Sequence, residues 1–273
     1  MNEIICPVCQ KSLFGEKTFK CENNHCFDVS KYGIINLSLN NKSSKKRHGD
    51  DKMMVLARKN FLDGGYYEPI KNSVVSLIKK HCSDAKILLD AGCGEGYYTK
   101  AAADACNAES IYGIDISKEA LRYFKKRLPD AFPIVSSIFK MPIKSESTDI
   151  ALNMFAPLPD KEFLRIIKNG GYLIRTFVLK DHLIELKRAV YDTAYFNKPE
   201  ETLIDGFSLI DTVTVDETIH LEGENIKNLF CMTPYYYKTG ISDQQKLEKL
   251  KTLDTTIQVM TAIYKKDVFN KEL

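Results

Sequence analysis

Ile87-Leu88-Leu89-Asp90-Ala91-Gly92-Cys93-Gly94-Glu95-Gly96-Tyr97-Tyr98-Thr99 is the stretch on which the fold turns. An apolar run ends in an acid, and three glycines follow at alternate positions. A strand ends this way when the next turn must let a ligand reach the backbone, because glycine has no Cβ in the way. A dinucleotide fingerprint, G-x-G-x-x-G, needs its third glycine at position 97, where the chain has Tyr97. The pattern is instead D-x-G-x-G-x-G. Nineteen residues beyond Gly96, the run Ile111-Tyr112-Gly113-Ile114 ends in Asp115. In doubly wound α/β folds an acid at about this distance accepts hydrogen bonds from a ribose diol. A glycine cluster alone is only a loop, and Asp115 alone is only a helix cap. Strand, acid, glycines, helix, strand and acid in one register read as a nucleoside site.

The loop looks like that of class I S-adenosylmethionine-dependent methyltransferases. On that likeness Asp90, Gly92, Gly94, Glu95 and Gly96 face a charged amino-acid tail and a ribose, with no pyrophosphate to cradle. The surrounding pattern agrees. Strands are expected near 86–90, 110–115, 132–135, 148–153 and 171–178, with helices between them. Lys168-Asn169-Gly170-Gly171 reads as a glycine-capped helix end entering the last of these. A helix from His182 to about Phe196, a strand region over 208–221 and a final strand Thr256–Lys266 complete the pattern. Upstream, helices are expected from Asp50 or Asp51 to Leu62, with Met53, Met54, Leu56, Ala57 and Phe61 roughly on one face, and from about Glu68 to His81, burying Ile70, Val74, Leu77 and Ile78. The fold class is α/β, a Rossmann-like seven-stranded mixed sheet whose last strand is antiparallel.

Eight cysteines are present and four lie in the first 26 residues. Cys6-Pro7-Val8-Cys9 is one knuckle, and Cys21-Glu22-Asn23-Asn24-His25, followed by Cys26, is a second. Two knuckles a hairpin's length apart have the spacing of a structural zinc site. Thiolate and imidazole suit this ion, and so short a segment cannot bury enough core alone. The fourth ligand is open between His25 and Cys26. Cys82, Cys93, Cys106 and Cys231 read as ordinary buried thiols. Tyr32-Gly33-Ile34-Ile35-Asn36-Leu37 is expected to be the last strand of the small module, giving a zinc-binding domain over 1–39. A basic linker follows over 40–49, and a methyltransferase domain over 50–273.

Composition is that of a globular protein, 44% hydrophobic and 27% charged. No apolar run approaches the ~18 residues of a membrane helix, and the beginning lacks a signal-peptide pattern, so a cytoplasmic location and no membrane partner are expected. The net charge of +3 is uneven. Residues 1–60 carry 11 Lys/Arg against 6 Asp/Glu, and the remainder carries 28 against 30. A basic front end on a near-neutral body suits a polyanion. Lys42, Lys45, Lys46 and Arg47 concentrate that charge.

Beyond single motifs, nearly the whole chain resembles the RlmA-type 23S rRNA (guanine-N1)-methyltransferases, which include the TlrB-type tylosin-resistance enzymes. The likeness rests on the knuckles and on Phe27-Asp28 with Lys31, Gly33, Asn36 and Leu37. It continues through Phe61-Leu62-Asp63-x-Gly65-x-Tyr67-x-Pro69, the glycine loop, Ala156-Pro157, His182-Leu183-x-Glu185-Leu186-Lys187 and Met232-Thr233-Pro234. It implies zinc on Cys6, Cys9, Cys21 and His25, and S-adenosylmethionine against Tyr67, Gly94, Glu95 and His182. The implied substrate is a 23S rRNA hairpin; a homodimer is compatible with it. Where relatives often carry arginine and tyrosine before Ala-Pro, this chain has Asn153-Met154-Phe155. Phe155 there would offer a stacking face to an unstacked base. The acceptor of the guanine N1 proton is not named by any motif; Asp28, Asp63 and Glu185 are candidates by position alone. Two other functions compete. A small-molecule methyltransferase would need neither zinc module nor basic linker, and a non-catalytic zinc-stabilised RNA-binding protein would not need intact loop acids and glycines.

Overall fold

The computed structural model describes residues 3–39 and 49–268. The front segment is mostly irregular, with a hairpin of β1 (Thr18–Lys20) and β2 (Cys26–Asp28) and a short β3 (Ile35–Asn36). Two helices follow, α1 (Lys52–Asp63) and α2 (Glu68–His81). Asp51 caps α1 by accepting the Met54 N–H at 2.9 Å. The alternating region comprises β4 (Ile87–Ala91), α3 (Tyr97–Cys106), β5 (Ser110–Asp115), α4 (Lys118–Arg127) and β6 (Phe132–Val135). It continues with β7 (Thr148–Met154), α5 (Asp160–Ile166), β8 (Ile167–Val178) and α6 (Ile184–Val190). The last elements are β9 (Phe207–Glu222), α7 (Glu224–Cys231), α8 (Ile241–Glu248) and β10 (Thr252–Lys266).

The large sheet runs β3-β6-β5-β4-β7-β8-β10-β9. Seven of its strands are those expected, and β10 is antiparallel to both its neighbours. The eighth corrects the expectation for Tyr32–Leu37. Ile35 and Asn36 pair in parallel with Ile134 and Val135 of β6, so the strand extends the catalytic sheet. Leu88, Leu89, Ile150, Leu152, Leu173 and Ile174 are fully buried, as central parallel strands must be with helices on both faces.

Three local expectations fail for identifiable reasons. Met53 and Leu56 are exposed, because α1 turns Val55 and Leu62 inward instead. Gly170-Gly171 lies within β8, beside a register shift against β7, and caps no helix. The helix after His182 stops at Val190 because Lys187 holds the following segment as a loop. Its Nζ donates to the Tyr195 carbonyl at 3.2 Å and to Asn197 Oδ1 at 2.6 Å. No helix among the described residues is long and apolar enough to cross a membrane.

Candidate active site and metal site

The glycine loop leaves β4 and crosses to α3. The Gly92 and Cys93 N–H groups donate to the Ile114 carbonyl at 2.8 and 3.1 Å, tying the loop to the end of β5. Gly96 has φ +85°, and a Cβ there would sit 2.9 Å from the Phe124 ring. At Gly94, φ is +53° and a Cβ would meet no protein atom within 4 Å, so this residue presents bare backbone to open space. The Asp115 carboxylate accepts from the Gly94 N–H at 3.0 Å and from the Ser117 N–H at 2.8 Å. The acid at the second strand end therefore also shapes the loop at the first.

That open space is a cavity of about 860 Å³ over the carboxyl ends of β4, β5, β7 and β8, where ligands bind in open α/β sheets. Tyr67, Asp90, Gly92, Gly94, Glu95, Asp115, Phe155 and His182 all line it; Gly96 stands behind the loop. Asp90 is buried, and Thr99 Oγ1 donates to its Oδ2 at 2.6 Å. Among the described residues Asp90 Oδ1 and the Tyr98 hydroxyl are buried without hydrogen-bond partners. Glu95 is held from α4, where Arg127 Nη2 lies 3.0 Å from its Oε2 and also bonds Asp63 at 2.7 Å. Burial lifts the Glu95 carboxyl to about 6, against the pull of Arg127.

An aromatic wall closes the β7 side. Phe155 holds φ +53°, a conformation a bulky residue adopts only when its surroundings impose it. Its ring lies 6.1 Å from both Tyr67 and Tyr98 and 6.5 Å from His182, nearly parallel to the last. His182 Nδ1 accepts the Gln258 N–H at 3.2 Å, so the neutral ring carries its proton on Nε2, 3.5 Å from the Tyr67 hydroxyl. Burial first, and Lys187 second, hold its pKa down at about 3. It is a neutral donor and no general acid at physiological pH.

A buried acid with one carboxylate oxygen unpartnered among the described residues, a half-buried acid at the second strand end, bare backbone between them and an apolar wall suit S-adenosylmethionine. Asp90 would take the ammonium and Asp115 the ribose hydroxyls. This has a pH consequence. Burial raises the Asp90 carboxyl to about 7, with Asp115 and Glu95 adding repulsion and Thr99 opposing it. A carboxyl raised on folding contributes stability that is complete below its unfolded pKa of about 4 and lost as pH rises through about 7. The cofactor-free protein should therefore lose stability over that interval. A cation beside Asp90 favours the ionised form, so cofactor uptake near pH 6 should release a proton. Calorimetry in buffers of different ionisation enthalpy reads this directly; identical heats in all buffers would remove Asp90 from the contact.

In the front segment, Cys6, Cys9, Cys21 and His25 place their ligand atoms within 4.8 Å of one another. His25 Nδ1 is 3.5 Å from Cys6 Sγ and 3.4 Å from Cys21 Sγ, and Cys9 Sγ is 3.6 Å from Cys21 Sγ. A tetrahedron with Zn–S of about 2.3 Å and Zn–N of about 2.0 Å has edges of roughly 3.5–3.8 Å, so the set fits zinc. Cys26 is exposed, turned to the Asn24 carbonyl, and stands outside this set.

Other expectations do not converge. None of the three candidate proton acceptors lines the cavity. Asp28 is bonded by Thr18 on the hairpin, Asp63 by Lys59 and Arg127, and Glu185 by Thr255 and Thr256 of β10. They are polar anchors of the fold. Lys42, Lys45, Lys46 and Arg47 lie outside the described residues. The sequence reading also missed Arg175, Glu200 and Tyr98, all of which line the cavity. Arg175 left a signal, a charge inside the buried run Tyr172–Val178, whereas Glu200 left none.

Two family models match the chain: RlmA N-terminal, a zinc ribbon, over residues 4–45, and Methyltransferase domain over residues 89–175. The Bacillus subtilis (strain 168) protein named "Putative 23S rRNA (guanine-N(1)-)-methyltransferase YxjB" is 28% identical over 93% of this chain and 94% of its own. A Streptomyces fradiae protein named 23S rRNA (guanine(748)-N(1))-methyltransferase is 28% identical over 84% of each. The four Cys/His groups gathered in the front segment and the glycine loop open to a cavity thus fall in the two regions that the zinc-ribbon and methyltransferase models match, and over most of its length the chain is similar to proteins named as 23S rRNA (guanine-N1)-methyltransferases.

Proposed function

We propose that the chain transfers the methyl group of S-adenosylmethionine to N1 of a guanine in a hairpin loop of 23S rRNA. The observation that carries this is a cavity lined by both the acids of the glycine loop and an aromatic wall, in a chain that also matches a zinc ribbon of the RlmA type. The bound cofactor supplies an electrophilic methyl. The chain's own work is alignment and water exclusion. Tyr67, Asp90, Gly92, Gly94, Glu95, Gly96, Asp115 and His182 form or support the cofactor side, and Phe155 offers its ring to a flipped base. Cys6, Cys9, Cys21 and His25 hold a closed structural zinc. One chain lines the whole cavity, so the chemistry asks nothing of a homodimer, and the cytoplasm is where such a substrate lies.

The test is to incubate the protein and cofactor with unmodified 23S rRNA and map the product by reverse-transcription stops and nucleoside mass spectrometry. A stop at one loop guanine with 1-methylguanosine in the digest is expected. Methyl transfer to small molecules alone, or cofactor binding with no transfer, would favour one of the competing functions.

The module over 1–39 and the linker over 40–49 serve as the RNA grip in this reading, ahead of the methyltransferase domain over 50–273. Its warrant is the excess of five positive charges in residues 1–60. Phosphate contacts release counterions, so replacing Lys42, Lys45, Lys46 and Arg47 by Ala should flatten the log–log salt dependence of RNA binding by up to about four units. Cofactor affinity should not change. A variant with an unaltered salt slope would move the grip elsewhere.

A further inference from the structure

Strand β8 ends in Tyr172-Leu173-Ile174-Arg175-Thr176-Phe177-Val178, and a guanidinium in such a run needs a reason. Arg175 is 6% exposed. Its Nη2 pairs with the Glu200 carboxylate, its Nη1 donates to the Glu201 carbonyl at 3.3 Å, and its head lies 4.9 Å from the Phe177 ring centre. Its Nε has no hydrogen-bond partner among the described residues. Directly across the β7–β8 pair stands Asn153, fully buried. Asn153 Nδ2 donates to the Pro157 carbonyl at 3.1 Å, and its Oδ1 is likewise unpartnered. An orphaned donor and an orphaned acceptor on residues paired across the two strands at the sheet's end are costly unless something completes them. Two residues beyond Asn153 is Phe155, whose N–H donates to the Thr176 carbonyl at 3.1 Å.

Among the described residues five carboxylates line the cavity. Asp90, Glu95 and Asp115 belong to the glycine loop, and Asp50 is paired with Arg58. Glu200 alone stands with the β8 end, bound to Arg175. The Watson–Crick edge of guanine offers the O6 acceptor beside the N1–H and N2–H donors. A guanidinium beside a carboxylate is the complementary pattern.

We propose that Glu200 accepts the N1 proton of the target guanine, and that Arg175 positions Glu200 while donating to O6. The inference rests on the guanine-N1 reading above and supplies the acceptor that no motif named. In the step, the N1–H bond breaks and its electron pair becomes the new N1–methyl bond. The C–S pair of the sulfonium donor stays on sulfur. The proton goes to Glu200, whose side chain is 39% exposed and can pass it to water.

The wild-type reaction first locates the modified guanine. Hairpins carrying guanine or 1-methylguanine at that position are then bound to the cofactor-free protein and to Glu200→Gln and Arg175→Lys. Only guanine has a proton on N1, so the wild type should prefer it by roughly ten- to a hundredfold, the range of a hydrogen bond to a charged group. Glu200→Gln keeps only a neutral acceptor, so it should cut the preference to a few-fold and lower single-turnover methyl transfer by about 10²- to 10³-fold, with the loss shrinking as pH rises and water takes the proton. Cofactor affinity should stay within about twofold, since Glu200 is not part of the glycine loop. Arg175→Lys keeps the charge and should retain part of both effects. Wild-type transfer by Glu200→Gln, an unaltered preference, or parallel loss of cofactor binding would each overturn the proposal. Wild-type protein that binds cofactor but leaves every guanine N1 unmethylated would instead defeat the reading beneath it.

Discussion

Cys21→Ser should empty the metal site and unfold the front segment, leaving the catalytic cavity in place. Zinc ligation contributes roughly 10–16 kcal/mol of apparent folding free energy in small zinc modules at neutral pH. The apolar core here replaces it only in part, because the large side chains the segment buries are Ile4, Leu13, Phe19, Ile34, Ile35 and Leu37. Its backbone attachments to the sheet run through residues 3–5, where Lys144 N–H also donates to the Glu3 carbonyl and Glu3 N–H to the Tyr112 hydroxyl, and through residues 35–37. Ile5 N–H donates to the Pro142 carbonyl, Leu37 N–H to the Val135 carbonyl, and β3 adds two residues to the edge of β6. Loss of the metal should therefore free β3 and uncover Ile134 and Val135. Metal analysis should return no bound zinc, and hydrogen exchange should show the amides of Ile35 and Leu37 deprotected. Retained protection at those amides in the zinc-free variant would mean that docking, not metal, holds the segment.

Asp115→Ala should weaken S-adenosylmethionine binding by about 1.5–3 kcal/mol, roughly ten- to a hundred-and-fiftyfold. The carboxylate has two tasks, and alanine removes both. It is placed to meet a ribose, and it orders the glycine loop through the Gly94 N–H while also taking the Ser117 N–H. Asp115→Asn keeps an acceptor for Gly94 and should lose less, which separates loop shaping from ribose contact. Burial raises the Asp115 carboxyl above its ordinary range, so folding already works against its ionised form. Its replacement should accordingly cost binding far more than it costs thermal stability. Calorimetry with the cofactor alone measures the effect; an unchanged dissociation constant would show that the nucleoside lies elsewhere.

What the sequence determined by itself is contiguous chemistry. The strand–acid–glycine loop, Asp115 at the next strand end and the two metal knuckles each occupy a short run, where spacing along the chain fixes spacing in space. Strand periodicity was legible for the same reason, since burial on both faces demands unbroken apolar runs such as Leu88-Leu89 and Leu173-Ile174. Only the tertiary structure decided where Ile35-Asn36 goes, because the same apolar pattern satisfies a strand in a small module or at the edge of a large sheet. The unpaired backbone of β6 offered that edge. It alone joined Tyr67 to His182 across 115 positions and placed Glu200 on Arg175 from a stretch with no regular pattern. It also set aside Asp28, Asp63 and Glu185, whose charges are satisfied by neighbours outside the cavity. Such pairings depend on which loop ends the sheet's order brings together, and loop residues carry no periodicity from which that order can be read.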